Sequence, residues 1–432
     1  MSAFVKGKNE IRLTYKTLAS TKNQPRSTRK QDKRKTTHSM EIAEEMEIEE
    51  RISTPTRNNF KRFALKNAIQ TNFGDDYVFE IVAKDDWTSI AVSLSSNAVK
   101  LYSPQTGQYL GDCRGHSSTI NKISFAGPSS PHVLYSCSSD STIRAWDSRS
   151  FQQVACISAG PSEELFSFSF GGSDGNLVAA GCKSQILLWD WRTMKQTACL
   201  EESHMDDVTQ VHFIPGHQNK LLSASVDGLM CLFDTSGEIN DDDHLLSVSP
   251  RLSHVFNVGT SIGKVGFCGQ TNDKLWCLTH IETLSVWDWN ESRTEANFGD
   301  ARALASESWT LDQVDYFVDC HYSLEEDQLW VIGGTNAGTF GYFPVKFGST
   351  KKVGSAEAVF QGGHTGVVRS VLPMSSVPGR ANSQGIFGWT GGEDGRMCCW
   401  LSDESPNTNH SWVSSTLVEK SHKIHRKRHS PY

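Results

Sequence analysis

No run of about 18 apolar residues occurs anywhere in the sequence, so a membrane-spanning helix is not expected. The first residues are polar and basic, where a secretory signal would need an apolar stretch. A protein that stays inside the cell is the expectation. The eleven cysteines include no CxxC pair and are odd in number, which indicates neither a disulfide framework nor a paired-cysteine zinc site. Buried free thiols are the simplest reading. Also missing are a P-loop, a GxGxxG and an HExxH, the signatures of nucleotide binding and zinc peptidase chemistry.

Net charge is low, with 42 basic against 49 acidic residues in 432, or −7, yet the charge is sorted along the chain. Residues 1 to 38 carry +9 and residues 419 to 432 carry +4, which leaves −20 for the middle. Three regions follow: a basic then acidic extension over 1–59, a body over 60–418 and a basic tail over 419–432. The clusters RSTRKQDKRK (26–35) and HKIHRKRH (422–429) lack the apolar content to fold, so disorder is expected. Lys423, Arg426, Lys427 and Arg428 suit nuclear targeting, or contact with RNA or an acidic partner. Interleaved Lys and Arg around His422, His425 and His429 oppose a bound cation there, and no metal is expected. The segment EIAEEMEIEER (41–51) has the charge to fold back on the basic arm, and Met40 and Met46 are alternative starts.

The body repeats. VLYSCSSDSTIRAWD (133–147), KLLSASVDGLMCLFD (220–234) and FGWTGGEDGRMCCW (387–400) each place an aromatic six residues after an Asp and a Ser or Thr four before it. Weaker copies bring the marker aromatics to seven: Tyr102, Trp146, Trp189, Phe233, Trp287, Tyr342 and Trp400, spaced by 44, 43, 44, 54, 55 and 58 residues. This period, with four short strands per unit, resembles the WD40 family and implies an all-β fold, a seven-bladed WD40 β-propeller. In the second unit strands are expected at 119–125, 133–138, 142–147 and 152–157, from alternation and β-branched content. Asp227-Gly228 and Asp394-Gly395 suit two-residue hairpins. The longer late periods place insertions at 236–250, 299–313, 346–357 and 373–385. Ring closure has two candidates, FKRFALKNAI (60–69) and SWVSSTLV (411–418).

The resemblance implies a buried hydrogen-bond chain within a blade, formed by a His ahead of the first strand, a Ser or Thr, the turn Asp and the Trp indole. Two units have the full set: His116, Ser136, Asp140, Trp146, and His364, Thr390, Asp394, Trp400. A third has His204, Ser223 and Asp227, with Phe233 in place of Trp. Ser96, Lys183, Ile281 and Asn336 stand at the Asp position elsewhere, so apolar packing is expected to hold those four blades. The spacing favours this structural role for the histidines over catalysis or metal ligation. GTSIG (259–263) satisfies the GxSxG pattern, but its surroundings are strand to strand where a hydrolase needs a strand-to-helix elbow, and Ser261 is not expected to be a nucleophile. No enzyme activity, cofactor or small-molecule substrate is expected.

Two WD pairs continue to an arginine, Trp146-Asp147-Ser148-Arg149 and Trp189-Asp190-Trp191-Arg192. This ending resembles the box of propellers that act as substrate receptors of cullin-RING ubiquitin ligases, and residues 134–149 match the whole box. Arg149 and Arg192, with Trp191 and Trp289 of the two WDW runs, are the candidate partner-binding residues; the bland alternatives are solvated arginines and tryptophans packed on their own blades. Over the whole body, degenerate blades, WDxR endings and SWVSSTLVEKSHKIHRKRH resemble the WD repeat-containing protein 89 group with its plant GIGANTUS-type counterparts. That resemblance implies a non-catalytic scaffold in growth control through ribosome assembly. Its partners would be ribosomal proteins or assembly factors, in nucleus and cytoplasm and in the nucleolus, with RNA touched only by the tails and no membrane. The alternative is a cullin-RING substrate receptor that binds a ligase adaptor.

Overall fold

The repeat's short apolar runs separated by Asp-Gly or Asn turns are strand-and-hairpin chemistry, and nearly every run becomes a strand. The computed structural model describes residues 61–71, 76–201, 203–236, 238–240, 245–247, 250–309, 313–373 and 386–401. The chain divides into two units, Met1–Arg57 and Asn58–Tyr432, and every described residue belongs to the second.

In chain order β1 (Lys61–Gln70) is followed by blade 1, made of β2 (Val78–Ala83), β3 (Ile90–Leu94), β4 (Ala98–Tyr102) and β5 (Tyr109–Arg114). Blade 2 is β6 (Ile120–Phe125), β7 (Val133–Ser138), β8 (Thr142–Asp147) and β9 (Gln153–Ser158). Blade 3 is β10 (Ser167–Gly171), β11 (Leu177–Gly181), β12 (Ile186–Asp190) and β13 (Lys195–Leu200). Blade 4 comprises β14 (Gln210–Ile214), β15 (His217–Ala224) and β16 (Leu229–Asp234), then a hairpin of β17 (Glu238–Asn240) and β18 (Leu245–Ser247), then the outer strand β19 (Arg251–Asn257). Blade 5 is β20 (Ile262–Cys268), β21 (Lys274–Thr279), β22 (Leu284–Asp288) and β23 (Arg293–Phe298), followed by the helix α1 (Ala301–Ser308). Blade 6 has β24 (Tyr316–Ser323), β25 (Gln328–Gly334), β26 (Phe340–Lys346), the short β27 (Lys352–Val353) and β28 (Ala358–Phe360). Blade 7 is β29 (Val368–Pro373), β30 (Ile386–Gly392) and β31 (Arg396–Leu401), completed by β1.

First strands of successive blades lie side by side, β2 on β6, β6 on β10, β10 on β14, β14 on β20, β20 on β24, β24 on β29 and β29 on β2, which makes a ring. Ring closure falls to the N-terminal candidate. β1 pairs antiparallel with β31 from Ala64 opposite Leu401 to Gln70 opposite Arg396. The other candidate, 411–418, lies outside the described residues. β1 also does something the sequence did not suggest: Lys61, Arg62 and Phe63 pair in parallel with Ala358, Val359 and Phe360 of β28. One strand therefore joins blades 6 and 7 into a continuous sheet.

Seven apolar clusters fill the seven spaces between blades. One unites Val99, Leu101 and Cys113 of blade 1 with Ile120, Leu134 and Trp146 of blade 2, and the same arrangement recurs around the ring. Because both faces of a blade are covered, β3, β11 and β12 are buried along their whole length, which is why they read as apolar runs without alternation. Six marker aromatics pack toward the preceding blade. Tyr342 is the exception: it turns to blade 7, while its neighbour Phe343 fills the space between blades 5 and 6. The Tyr342 hydroxyl is buried without a hydrogen-bond partner among the described residues, with Ile332 opposite it in the ladder.

Each junction is also stapled by a side chain bonded to the neighbouring backbone. Glu80 accepts from Ile123 N–H (2.8 Å), Asn121 donates to the Leu165 carbonyl (2.7 Å) and Ser169 accepts from Phe213 N–H (2.9 Å). Thr209 donates to the Ile262 carbonyl (3.1 Å) and Lys264 to that of Val318 (2.9 Å). Tyr316 accepts from Val368 N–H (2.6 Å), and Ser370 from Ile81 N–H (3.0 Å). In five first strands a β-bulge falls just before Glu80, Lys122, Lys264, Asp319 or Ser370; a bulge re-aims the side chain that follows.

The second unit's strands fall at Ile120–Phe125, Val133–Ser138, Thr142–Asp147 and Gln153–Ser158, within a residue of expectation. The insertion at 299–313 is more than a loop. It contains α1, capped by Asp300 accepting from Ala303 N–H (3.3 Å), with Ala301 and Ala305 buried beside Trp309. The eleven cysteines are all free, and burial pushes the thiols of Cys113, Cys231 and Cys268 up to about 12.

Candidate functional site

The two four-residue sets close as hydrogen-bonded chains. His116 Nδ1 lies 2.8 Å from Asp140 Oδ2 and its Nε2 lies 2.7 Å from Ser136 Oγ, which accepts from Trp146 Nε1 at 2.8 Å. His364 bonds Asp394 (3.1 Å) and Thr390 (2.8 Å), and Trp400 donates to the same Thr390 hydroxyl (2.8 Å). His204 reaches Asp227 (3.0 Å) and Ser223 (2.7 Å); with Phe233 in place of Trp, the Ser223 hydroxyl also approaches the Cys231 carbonyl at 3.4 Å.

Burial lowers the imidazoles of His116 and His204, against the upward pull of Asp140 and Asp227. Burial raises the Asp140 carboxyl, but hydrogen bonds from Thr142 and His116 more than offset this and hold it below the usual range. Each carboxylate also accepts from the backbone ahead of the first strand, Asp140 from Ser117 N–H (3.1 Å) and Asp227 from Met205 N–H (2.9 Å). The histidine, carboxylate and hydroxyl are thus occupied in tying turn to strand, with every polar atom partnered.

Two blades without the full set keep a carboxylate, moved to the other side of the bond. In blade 1 Ser96 donates to Asp76 (2.9 Å), and in blade 6 Asn336 N–H donates to Asp315 (2.7 Å). Both acids sit one or two residues ahead of the first strand, closer to it than the histidines of the complete blades, which lie four residues ahead. Glu282, beside Ile281 in blade 5, accepts from Phe317 N–H across the junction (2.6 Å). The expectation of mainly apolar packing is corrected to that extent. The sequence signal available was an acid one or two residues before a first strand.

Arg149 and Arg192 do not reach freely into solvent. Arg149 Nε and Nη2 bond both oxygens of Asp147 (3.0 and 2.8 Å), and Arg192 chelates Asp190 in the same way (3.4 and 3.3 Å). Their side chains are 66% and 49% exposed. Hydrogen bonds from Arg149 hold Asp147 well below the usual carboxylate range. Each Asp further accepts from the N–H two residues on, at 2.9 Å for both Arg149 and Arg192, an Asx turn that begins the hairpin to the outer strand.

Trp289 is corrected. It is 4% exposed, its indole donates to the Asn272 carbonyl at 2.7 Å, and its ring meets His217 of blade 4 edge to face. Trp191 is half-buried between Phe170 and Tyr135 of blade 2. Both act as wedges against the preceding blade. Ser261 Oγ lies 2.6 Å from His280 Nδ1, with strands on either side of GTSIG and no elbow. Lys423, Arg426, Lys427 and Arg428 lie outside the described residues. No group of three or more His, Cys, Asp or Glu placed to hold a metal occurs among the described residues, and no helix among them is long and apolar enough to cross a membrane.

Seven blades in a ring, closed by the N-terminal strand and tied by His–Ser/Thr–Asp–Trp chains, define a WD-repeat β-propeller. Residues 107–147 match the sequence model described as "WD domain, G-beta repeat", a stretch that runs from the outer strand of blade 1 through the third strand of blade 2. The chain is 63% identical over 401 residues to the WD repeat-containing protein GTS1 of Arabidopsis thaliana, covering 91% of this chain and 100% of that one. It is 30% identical over 366 residues to the WD repeat-containing protein 89 homolog of Dictyostelium discoideum, covering 84% and 94%. An uncharacterized WD repeat-containing protein of Saccharomyces cerevisiae is 27% identical over 250 residues, 54% of this chain and 58% of that one. The chain belongs to the WD-repeat family, whose members typically serve as non-catalytic scaffolds for protein interaction.

Proposed function

We propose that this protein is a non-catalytic scaffold acting in growth control through ribosome assembly, with ribosomal proteins or assembly factors as partners, in nucleus, nucleolus and cytoplasm. The observation that carries the scaffold reading is the state of its histidine–carboxylate pairs. They are the groups best suited to acid–base chemistry, and they are buried and bonded to Ser136, Ser223 and Thr390. What remains for function is the loop-bearing faces and the charge sorting of −20 over residues 39–418 against +9 and +4 in the tails. That sorting supports basic tails that engage RNA or acidic partners while the body repels nucleic acid at low salt.

The second reading, a cullin-RING substrate receptor, draws on Arg149 and Arg192. They stand in equivalent turns of adjacent blades and are substantially exposed, although a partner carboxylate must share each guanidinium with Asp147 or Asp190. Affinity purification separates the two readings. Ribosomal or nucleolar proteins recovered with the wild type and lost on deletion of 419–432 support the assembly reading. A cullin adaptor lost only in the Arg149→Ala, Arg192→Ala double variant supports the receptor reading, and recovery of neither class refutes both.

A further inference from the structure

A blade's outer strand exposes a row of unpaired N–H and C=O groups, which proteins blunt with charge, proline or a covering segment. Most outer strands here are charged: β5 carries Asp112 and Arg114, β13 Lys195, β19 Arg251, β23 Arg293 and Glu295, and β1 Lys61, Arg62 and Lys66. Two carry no charge. One of them, β28 (Ala-Val-Phe), is buried and its edge is covered by β1. The other, β9 (Gln-Val-Ala-Cys-Ile-Ser), pairs with β8 alone and is open on its far side among the described residues. Val154, at the bulge of this strand, is 58% exposed, and Cys156 and Ser158 beyond it are exposed too.

We propose that β9 docks a second copy of this chain, the two β9 strands pairing antiparallel about a two-fold axis near Cys156. Charge selects this arrangement. β9 is entered from the turn bearing exposed Arg149 and left toward Glu163 and the exposed Glu164. Antiparallel pairing brings the arginine end of each copy beside the glutamate end of the other, and a two-fold contact repeats that match reciprocally. Parallel pairing would set Arg149 against its own counterpart and Glu164 against its own, like charges that raise the energy. With the axis at Cys156, Val154 lies opposite the counterpart of Ser158, so the open face meets itself without burying a charge.

The test is the mass of the purified full chain by sedimentation equilibrium over roughly a hundred-fold range of concentration, since dimer content must rise with concentration. The wild type should pass from monomer to dimer. Val154→Lys, which places a charge on the edge, should weaken association at least about tenfold, and Glu164→Arg should weaken it less and in a salt-dependent way. Both substitutions fall on exposed positions, so an unchanged thermal midpoint shows that the fold is intact. Mild oxidation should cross-link the wild type through Cys156 and fail to cross-link Cys156→Ser. A wild type that stays monomeric throughout, or a Val154→Lys variant as dimeric as the wild type, overturns the proposal.

Discussion

Phe63 stacks on Phe360 with ring centroids 4.6 Å apart and planes 12° from parallel, and this contact carries the N-terminal strand across the outer edge of blade 6 before it turns to complete blade 7. Phe360 in turn stacks on Phe340 at 4.4 Å and meets Trp400 edge to face at 5.2 Å. Truncating Phe63 to Ala removes a nearly buried ring from this cluster, and large-to-small changes of that kind cost about 3–5 kcal/mol. Chemical denaturation should show a loss of that order. A loss under about 1 kcal/mol would mean that the β1–β31 ladder alone holds the strand.

Ser136 serves two donors or acceptors at once, whereas Ser223 serves one side chain because Phe233 has no N–H. Ser136→Ala strands both His116 Nε2 and Trp146 Nε1 in the interior, at about 1–3 kcal/mol for each unsatisfied group. Ser223→Ala strands only His204. Equilibrium unfolding should find the first substitution about twice as costly as the second, and equal costs would show that the indole bond contributes nothing.

The buried imidazoles set a pH dependence. His116 and His204 are held below the ordinary histidine value in the folded protein, so the unfolded chain takes up protons first, near pH 6.5. Their stabilising contribution is complete at neutral pH and is lost as the pH falls below that value. Asp140, Asp227 and Asp394 are also held below their ordinary 3.8, and their contribution is lost only as the pH falls through and below that point. The urea midpoint should decline in two stages on acidification, and His116→Asn with His204→Asn should shrink the first, the remainder coming from His212 and His321, which burial also lowers. A midpoint that stays constant between about pH 7 and 5 contradicts this.

The two WDW tryptophans should behave differently from the two arginines. Trp289→Ala removes a buried wedge and its indole bond and should cost about 3–5 kcal/mol. Trp191→Ala, at a half-buried site, should cost less. Arg149→Ala and Arg192→Ala should leave the thermal midpoint nearly unchanged, because exposed ion pairs contribute little. Differential scanning calorimetry of the four variants checks the order.

The sequence made the middle strands of each blade visible, because burial on both sides writes them as apolar runs ending in an aromatic and because Asp140, Asp227 and Asp394 mark the turns between them. Outer strands were harder to see. Arg251–Asn257 is exposed at five successive positions, so no burial pattern marks it. The choice between 60–69 and 411–418 for closure stayed open for the same reason, since both are short, mixed segments that declare themselves only on pairing. The helix after blade 5 escaped notice because its buried face is two alanines, Ala301 and Ala305, too small to register as periodicity. The wedge role of Trp289 depends on His217 of another blade, 72 residues earlier, which no local spacing reports. Conversely, Asp76 and Asp315 are readable as acids but not as acceptors for the turns at Ser96 and Asn336 until each turn is in place.

Closure of the last blade by the first strand has a consequence for how the chain is made. Thr71, at the end of β1, bonds the Gly395 carbonyl across 324 residues of sequence at 2.9 Å, so the two halves of that ladder leave the ribosome far apart in time. At about 5–20 residues per second, β1 waits on the order of half a minute for β31 to be translated. Phe63 can stack on Phe360 only once β28 has been made, and the residues from Ala64 to Gln70 wait longer, for β31. The most aggregation-prone moment in the life of this protein is therefore its synthesis, when its opening strand has emerged and the strand that shelters it does not yet exist.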